Sequence, residues 1–160
     1  MAQTESAEKG ADVRFPPPLV WLGGVILGLI IDYLVMAMPF PIARTARFAL
    51  SGALLGLGVG LALSARGLFK KTGQSVRPWA PTPELIFDGP YKFTRNPMYL
   101  GLTVFQIGLG LLLNSVWVSA LALLALAMVH FIAVVPEEKY LSAKFGDSYR
   151  NYLGRVRRYL

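Results

Sequence analysis

Two short stretches of the sequence hold most of the polar side chains that could bind or transform a ligand. The first contains Arg95 and Asn96 next to Pro97, and the second contains Glu137 and Glu138. Asn96 precedes a proline, which disfavours helical geometry, while Pro97 suits a first helical turn. A helix is therefore predicted to begin at Pro97, where free N–H groups and a partial positive charge favour an anion such as a carboxylate.

The acidic pair Glu137 and Glu138 favours a cation instead of an anion, because two carboxylates at the mouth of a helical bundle can bind an ammonium group. The pair follows His130, and a seven-residue step is about two α-helical turns, so His130 and Glu137 are predicted to share one helix face. Both stretches also have structural explanations. Arg and Tyr anchor helices at membrane boundaries, and acidic residues favour the positive end of a new helix. The residues alone leave these alternatives open.

Long apolar segments must position the two stretches. The 160-residue chain is 54% hydrophobic and 16% charged, whereas a soluble domain has about 25% charged residues. Apolar residues fall in blocks at 19–38, 48–65 and 98–135. The last block would be about 57 Å long as one helix, nearly twice a hydrocarbon core of about 30 Å. It is therefore predicted to fold as a hairpin that turns at Asn114-Ser115.

These blocks predict an all-α membrane protein with four transmembrane helices, formed as one integral membrane domain by residues 1–160. The hairpin supplies the last two spans, at 98–113 and 116–135. Gly24 and Gly28 in the first span, and Gly52, Gly56 and Gly60 in the second, are predicted to let helix backbones approach closely. Asp32 in the first span is expected to cap the outer end of that span or to pair with Arg44 or Arg47.

The basic residues predict the orientation. With four spans, segments 1–18, 66–97 and 136–160 share one face and hold 14 Lys and Arg residues, against 2 in the 39–47 loop. The positive-inside rule makes the basic face cytoplasmic, so both termini are predicted to be cytoplasmic. The N-terminal segment lacks the pattern of a cleaved signal, so the first span is expected to be retained.

The C-terminal segment has the spacing of an amphipathic helix. Its apolar residues recur in steps of three and four, with an interruption at Gly146: Leu141, Phe145, Tyr149, Tyr152, Val156 and Leu160. The intervening residues are rich in Lys and Arg. We expect this helix to lie on the bilayer surface or to fold back over the cytoplasmic opening.

The composition also separates classes of function. The absence of cysteine excludes disulfide scaffolds and thiolate metal sites, and no metal site is expected. A net charge of +7 would suit a nucleic-acid binder only on a water-soluble body, so no nucleic-acid partner is expected. A four-span transporter or adaptor is the non-enzymatic alternative, but it would place ionisable residues deep in the bundle, where only Asp32 and His130 qualify.

The two polar stretches together resemble a known family. Gly89-Pro90-Tyr91, Arg95-Asn96-Pro97-Met98-Tyr99 and Gly101 are followed by an apolar hairpin, and then by Glu137-Glu138, Phe145-Gly146, Tyr149 and Tyr152. This order is similar to that of the isoprenylcysteine carboxyl methyltransferase (ICMT) and phospholipid methyltransferase-like group, in its bacterial-type branch. The resemblance covers about residues 82–158.

The resemblance implies an S-adenosylmethionine-dependent methyltransferase in the membrane, with S-adenosylhomocysteine as its product and a cofactor region over about 82–158. The family's cofactor contacts carry over to Leu85, Ile86, Tyr91, Asn96, Pro97, Met98, Tyr99 and Glu137. Arg95 corresponds to the motif arginine that lies near the substrate and the transferred methyl, and is expected to be the catalytic residue. His130 and Glu138 are assigned to the substrate.

Three positions depart from the prenylcysteine enzymes, which usually have histidine at Asn96, histidine near Pro83 and a basic residue at Ala133. The cofactor half of the resemblance is retained, whereas a prenylcysteine substrate does not follow from it. We expect O-methylation of a carboxylate on a lipid-like acceptor that enters from the inner leaflet of a bacterial inner membrane. N-methylation of an aminolipid is the alternative, and the oligomeric state stays open.

Overall fold

The described part of the chain, residues 10–159 of a computed structural model, is built from helices. They are α1 (Pro18–Leu34), α2 (Arg44–Lys71), α3 (Pro97–Leu113), α4 (Val116–Val129), a π-helix (His130–Val134), α5 (Val135–Phe145) and α6 (Asp147–Arg155), with a short 3-10 helix at Gly89–Lys92. Within residues 10–159 there is no β-strand, and β-pairing is limited to one isolated bridge between Thr94 and Arg157. The predicted all-α class is confirmed.

Two helical stretches are long and apolar enough to cross a membrane. They are Arg44–Lys71, with 28 residues, and Val116–Phe145, with 30 residues. Helices α1 and α3 are also apolar but have 17 residues each, the lower end of the roughly 17–25 residues that a bilayer-spanning helix needs. The count of four spans stays a prediction.

The first predicted span, 19–38, was too long at its C-terminal end. Helix α1 ends at Leu34, and the following residues bond elsewhere: Met36 O accepts from Trp117 Nε1 at 3.0 Å, and Met38 O accepts from Val116 N at 3.0 Å. Asp32 Oδ1 accepts from Met38 N at 3.2 Å. Asp32 therefore bonds to the backbone that follows α1, and its expected place at the outer end of a span stays a prediction.

The predicted hairpin turn is confirmed. Helix α3 ends at Leu113 and α4 begins at Val116, with Asn114 in the left-handed region at φ 60°, a conformation that Asn tolerates better than most residues. Arg47 Nη1 donates to Leu111 O at 2.7 Å and to Leu112 O at 3.1 Å. It thereby satisfies carbonyl groups that the end of α3 leaves without helical partners.

The chain divides into two compact units. We call residues Pro17–Ala62 and Met98–Met128 the bundle unit, and residues 10–16, 63–97 and 129–159 the motif unit.

Glycines set how closely the helices of the bundle unit pack. A Cβ atom added at Gly28 would lie 2.8 Å from Val118 Cα, and one added at Gly58 would lie 2.7 Å from Gly101 O. The prediction for Gly24 and Gly28 is therefore confirmed. A Cβ at Gly52, Gly56 or Gly60 would meet nothing within 4 Å, so these glycines do not pack against another helix within the described chain, and packing between two copies stays a prediction. Gly58 lies about 200° around the helix from Gly56, on the side that packs.

The bundle unit has an apolar surface, unlike a water-soluble fold, and several polar side chains in its interior. Its fully or nearly buried side chains include Ser51, Thr103, Gln106 and Ser115, and its exposed side chains include Leu22, Ile26, Leu57, Leu123 and Leu124. The buried polar groups bond across helices: Ser51 Oγ donates to Gly108 O at 2.9 Å, and Gln106 Nε2 donates to Val118 O at 3.0 Å. Small residues, interhelical hydrogen bonds and outward leucines are typical of helices packed in lipid.

Candidate active site

The loop before α3 is shaped by a tight turn. The Asp88-Gly89-Pro90 sequence forms the start of the 3-10 helix, with Gly89 at φ 56°. The turn carries Tyr91 into the interior, where Tyr91 is buried and its carbonyl oxygen accepts from the Tyr152 hydroxyl at 2.7 Å. Helix α3 begins at Pro97, as predicted. Arg95 and Asn96 are therefore held between a buried turn and a helix start.

The residues after α6 bind the backbone around Arg95. We call residues 156–159 the C-terminal strap. Arg95 N donates to Arg157 O at 3.0 Å, and Thr94 Oγ1 donates to Arg158 O at 3.1 Å. Asn96 Nδ2 donates to the same Arg158 oxygen at 3.1 Å. The side chain of Asn96 therefore fixes the loop to the strap.

Glu138 forms ion pairs with two arginines. Arg158 Nε donates to Glu138 Oε1 at 3.0 Å and Arg158 Nη2 to Oε2 at 2.7 Å, whereas the single contact from Arg95 Nη2 to Oε1 is 3.3 Å. The Arg95 and Glu138 side chains are 11% and 15% exposed. The cluster has two positive groups and one negative group, and the hydrogen bond with Glu138 raises the pKa of Arg158. Arg95, Arg158 and Glu138 together carry one net positive charge.

Arg95 also has hydrogen-bonding capacity to spare. Its Nε atom is buried, and no hydrogen-bond partner for it exists within residues 10–159. A buried donor without a partner carries an unfavourable desolvation free energy. An anionic ligand group placed beside the Arg95 guanidinium would remove that cost and balance the net charge of the cluster.

Three tyrosines line the same region as neutral phenols. Burial, and then the charge of Glu137, raise the pKa of Tyr91 above its ordinary range. Burial is also the main cause that raises the pKa of Tyr149; the charge of Glu138 adds to the rise, and the charge of Arg95 opposes it. Burial raises the pKa of Tyr152 to about 12. At neutral pH these hydroxyls can donate hydrogen bonds but cannot act as bases.

His130 lies on the π-helix and contacts the C-terminal strap, with 3.1 Å between its Nδ1 atom and the Tyr159 hydroxyl. A π-helical turn adds one residue to the helix. Eight residues rather than seven therefore complete two turns, and Glu138 replaces Glu137 on the face of His130. Glu138 also contacts the strap directly, through its ion pair with Arg158.

The remaining residues named from the sequence are distributed as follows. Leu85 and Ile86 are half-buried in the loop before the 3-10 helix, Glu137 is half-buried in the first turn of α5, and Pro97 is fully buried. Met98 and Tyr99 belong to the bundle unit. There the Tyr99 ring stacks on Trp21 with 5.9 Å between centroids. The motif unit thus brings together Tyr91, Arg95, Asn96 and Glu138.

Sequence reasoning missed several residues of this cluster. Arg158 was counted only among the basic residues of the C-terminal segment, and Tyr149 and Tyr152 were named in the amphipathic helix and the family motif but not as site residues. The spacing from Tyr149 through Tyr152 to Val156 was part of the family resemblance and was the available signal. Thr94, which bonds to the strap, lies directly before Arg95 in the motif.

The fold and the cluster together describe a helical protein with lipid-compatible helices and one dense, mostly buried polar site. The model of the phospholipid methyltransferase family matches residues 46–148. The chain therefore belongs to the phospholipid methyltransferase family, as the sequence resemblance predicted.

Two curated relatives match parts of the chain. The protein-S-isoprenylcysteine O-methyltransferase of Schizosaccharomyces pombe is 38% identical over 74 residues, which is 45% of this chain and 30% of that protein. The nickel-cobalt-cadmium resistance protein NccN of Alcaligenes xylosoxydans xylosoxydans is 34% identical over 64 residues, which is 40% of this chain and 30% of that protein. The matched part is less than a third of each relative's length. Within residues 10–159, no group of three or more His, Cys, Asp or Glu side chains is arranged to hold a metal ion.

Proposed function

We propose that this protein is an integral membrane enzyme that transfers a methyl group from S-adenosylmethionine to a membrane-associated amphiphilic acceptor, and that the accepting group is a carboxylate. The observation that carries this proposal is the Arg95 guanidinium, which lies in a cluster of net positive charge and has a buried donor to spare. Membership of a methyltransferase family supplies the reaction class.

The membrane setting of the proposal has four spans, formed by α1, α2, α3 and the helix that begins with α4. Two of them meet the length of a membrane helix, and the outward leucines with inward Ser, Thr and Gln of the bundle unit support a lipid environment for all four. The distribution of basic residues supports cytoplasmic termini. The bacterial-type resemblance supports a bacterial inner membrane.

The side chains of the motif unit suit the proposed cofactor. Glu137, half-buried and close enough to Tyr91 to raise its pKa, would pair with the cofactor's ammonium group through a charged hydrogen bond. Leu85 and Ile86 offer half-buried apolar surface to the adenine ring. Tyr91, Asn96, Pro97, Met98 and Tyr99 are the other proposed contacts. Asn96 would take part through its neighbours, because its amide nitrogen already bonds to Arg158 O.

The bound cofactor supplies an electrophilic methyl group on a sulfonium. A carboxylate acceptor needs no base, which agrees with tyrosines that stay protonated at neutral pH. Arg95 would hold the acceptor carboxylate and align one of its oxygens, and the buried surroundings of Arg95 and Glu138 would exclude water. The residues would therefore act by positioning and charge, rather than by proton transfer.

The test is a radiolabelled methyl-transfer assay on membrane lipid extracts with purified protein in detergent. Base treatment of the products releases methanol from methyl esters but not from N-methyl groups. Base-labile label that depends on Arg95 supports the proposal. Base-stable label would replace it with N-methylation of an aminolipid, and binding of S-adenosylhomocysteine without any transfer would indicate a protein that binds the cofactor but does not transfer methyl groups.

A further inference from the structure

The contacts of Glu138 are unequal. Arg158 holds both carboxylate oxygens in a fork, at 3.0 and 2.7 Å, while Arg95 reaches only Oε1, at 3.3 Å. A guanidinium that faces a carboxylate with two parallel N–H groups makes the stronger and more specific pair. Arg158 therefore occupies the position that Arg95 would otherwise take.

We propose that Arg158 is a positioning residue for Arg95: by holding both oxygens of Glu138, it prevents Glu138 from capturing Arg95 and leaves the Arg95 guanidinium able to bind an anionic acceptor group. The expected effect of Arg158 on the rate of catalysis rests on the proposed methyl transfer. The expected effect of Arg158 on the ion pairing of Arg95 does not depend on that proposal.

The backbone of Arg158 takes part in the same arrangement. Its carbonyl oxygen accepts from Thr94 Oγ1 and Asn96 Nδ2, the two residues on either side of Arg95. One residue therefore fixes the loop that carries Arg95 and also holds the carboxylate that would neutralise it. A substitution of the Arg158 side chain leaves the carbonyl contacts in place, so the two roles can be separated.

The variants for the test are chosen by the net charge that each leaves on Arg95, Arg158 and Glu138. The wild-type cluster has two arginines and one glutamate, for a net charge of +1. Arg158→Ala leaves Arg95 and Glu138 as a neutral pair. The double variant Arg158→Ala with Glu138→Gln leaves Arg95 alone and restores +1. If Arg158 only stabilises the structure, the double variant should be at least as impaired as Arg158→Ala. If Glu138 captures Arg95 when Arg158 is missing, the double variant should be less impaired than Arg158→Ala.

The first measurement needs no acceptor or cofactor. Purified full-length protein in detergent is treated with phenylglyoxal, and the rate of adduct formation at Arg95 is followed by mass spectrometry. A paired carboxylate favours the charged guanidinium, which is the unreactive form. Arg158→Ala should slow the modification of Arg95 severalfold, and the double variant should return it to the wild-type rate or above. If Arg95 is modified at the same rate or faster in Arg158→Ala, as a simple loosening of the structure around Arg95 would cause, the proposal is overturned.

The second measurement is methyl transfer to the lipid extract, beside calorimetry with S-adenosylhomocysteine. Arg158→Ala should lower transfer roughly tenfold, the effect of losing one charged hydrogen bond, and change cofactor affinity by less than about twofold. The double variant should transfer methyl groups faster than Arg158→Ala does. If wild type transfers no methyl group, the proposed function fails, and the phenylglyoxal rates still decide the role of Arg158.

Arg155→Ala is the matched control, since it removes one positive charge from an exposed arginine at the end of α6. It should leave both the Arg95 rate and the transfer rate unchanged. Arg158→Lys keeps the charge but loses the fork, and should lie between wild type and Arg158→Ala. If Arg158→Ala does not fold, Arg158→Lys and the double variant still give the test: a double variant slower than Arg158→Lys in both measurements contradicts the proposal.

Discussion

The bundle unit and the motif unit treat buried polar groups differently. In the bundle unit the buried polar side chains are neutral, and Ser51 and Gln106 donate to backbone carbonyls of neighbouring helices. In the motif unit the mostly buried groups include charges, and Arg95 keeps a donor without a partner in the described chain. The bundle unit also keeps one buried atom without a partner in the described chain, Gln106 Oε1, but that atom is neutral, whereas the motif unit's Arg95 Nε belongs to a charged guanidinium that an anionic ligand could pair. Substitutions in the bundle unit should therefore lower the free energy of unfolding, whereas substitutions in the motif unit should lower cofactor affinity or the rate of methyl transfer.

The largest expected effect is that of Arg95→Ala. If Arg95 binds the acceptor, methyl transfer should fall about a hundredfold or more, while the affinity for S-adenosylhomocysteine changes only a few-fold. Initial rates on the lipid extract and calorimetry on the same preparation measure the two quantities. Equal losses of rate and affinity would contradict a role for Arg95 at the acceptor.

Glu137→Gln should act on the cofactor. Loss of a charged hydrogen bond to the ammonium group should weaken binding of S-adenosylhomocysteine about tenfold or more. Calorimetry in detergent gives the dissociation constant directly. An unchanged constant would remove Glu137 from the proposed cofactor contacts, and with it this part of the resemblance.

Gly58→Leu should damage the bundle unit and spare the chemistry of any protein that folds. A Cβ at Gly58 already meets Phe105 N and Gly101 O within 2.7 Å, and such overpacking costs about 1–3 kcal/mol of unfolding free energy. Denaturant or thermal unfolding in detergent measures the loss. Gly56→Leu is the matched control, since a Cβ at Gly56 meets nothing within 4 Å and Leu favours a helix more than Gly does. An equal loss there would show that the close packing at Gly58 is not responsible.

Tyr152→Phe has the smallest expected effect, about 1 kcal/mol at neutral pH, from loss of the hydroxyl donated to Tyr91 O. Burial raises the pKa of Tyr152 to about 12, above about 10 for an unfolded tyrosine. The unfolded chain therefore releases its proton first, and wild type should lose stability between about pH 10 and 12. The variant should lose less over this interval. Identical slopes in unfolding free energy against pH would contradict the raised pKa.

The helices were largely predictable because each depends on local pattern. The apolar blocks, the Asn114-Ser115 turn, the start at Pro97 and the break at Gly146 all follow from composition or backbone preference. The end of α1 was not predictable, because Met36 and Met38 bond to residues some 80 positions away. The packing side of α2 was missed for a similar reason. Glycine spacing indicates a smooth helix face but does not say which face meets a neighbour.

The candidate site was predictable only as far as its motif residues. Arg95, Tyr91 and Glu138 were named from the sequence, and the structure brings them together. Their partner Arg158 lies 20 residues beyond Glu138 in a segment of alternating arginines. Nothing in that local pattern distinguishes Arg158, with its fork on Glu138, from Arg155, which is exposed to solvent.

The π-helix at His130–Val134 has a consequence for how this chain tolerates changes in length. Its one additional residue sets which acidic side chain faces His130, so the angular position of the Glu137-Glu138 pair depends on a residue count. Deleting one residue between 130 and 134 would return the helix to regular α geometry and place Glu138 seven residues after His130, which keeps it on the same helix face. A single deletion here should therefore be tolerated, whereas an insertion would rotate the acidic pair relative to His130 by about 100°.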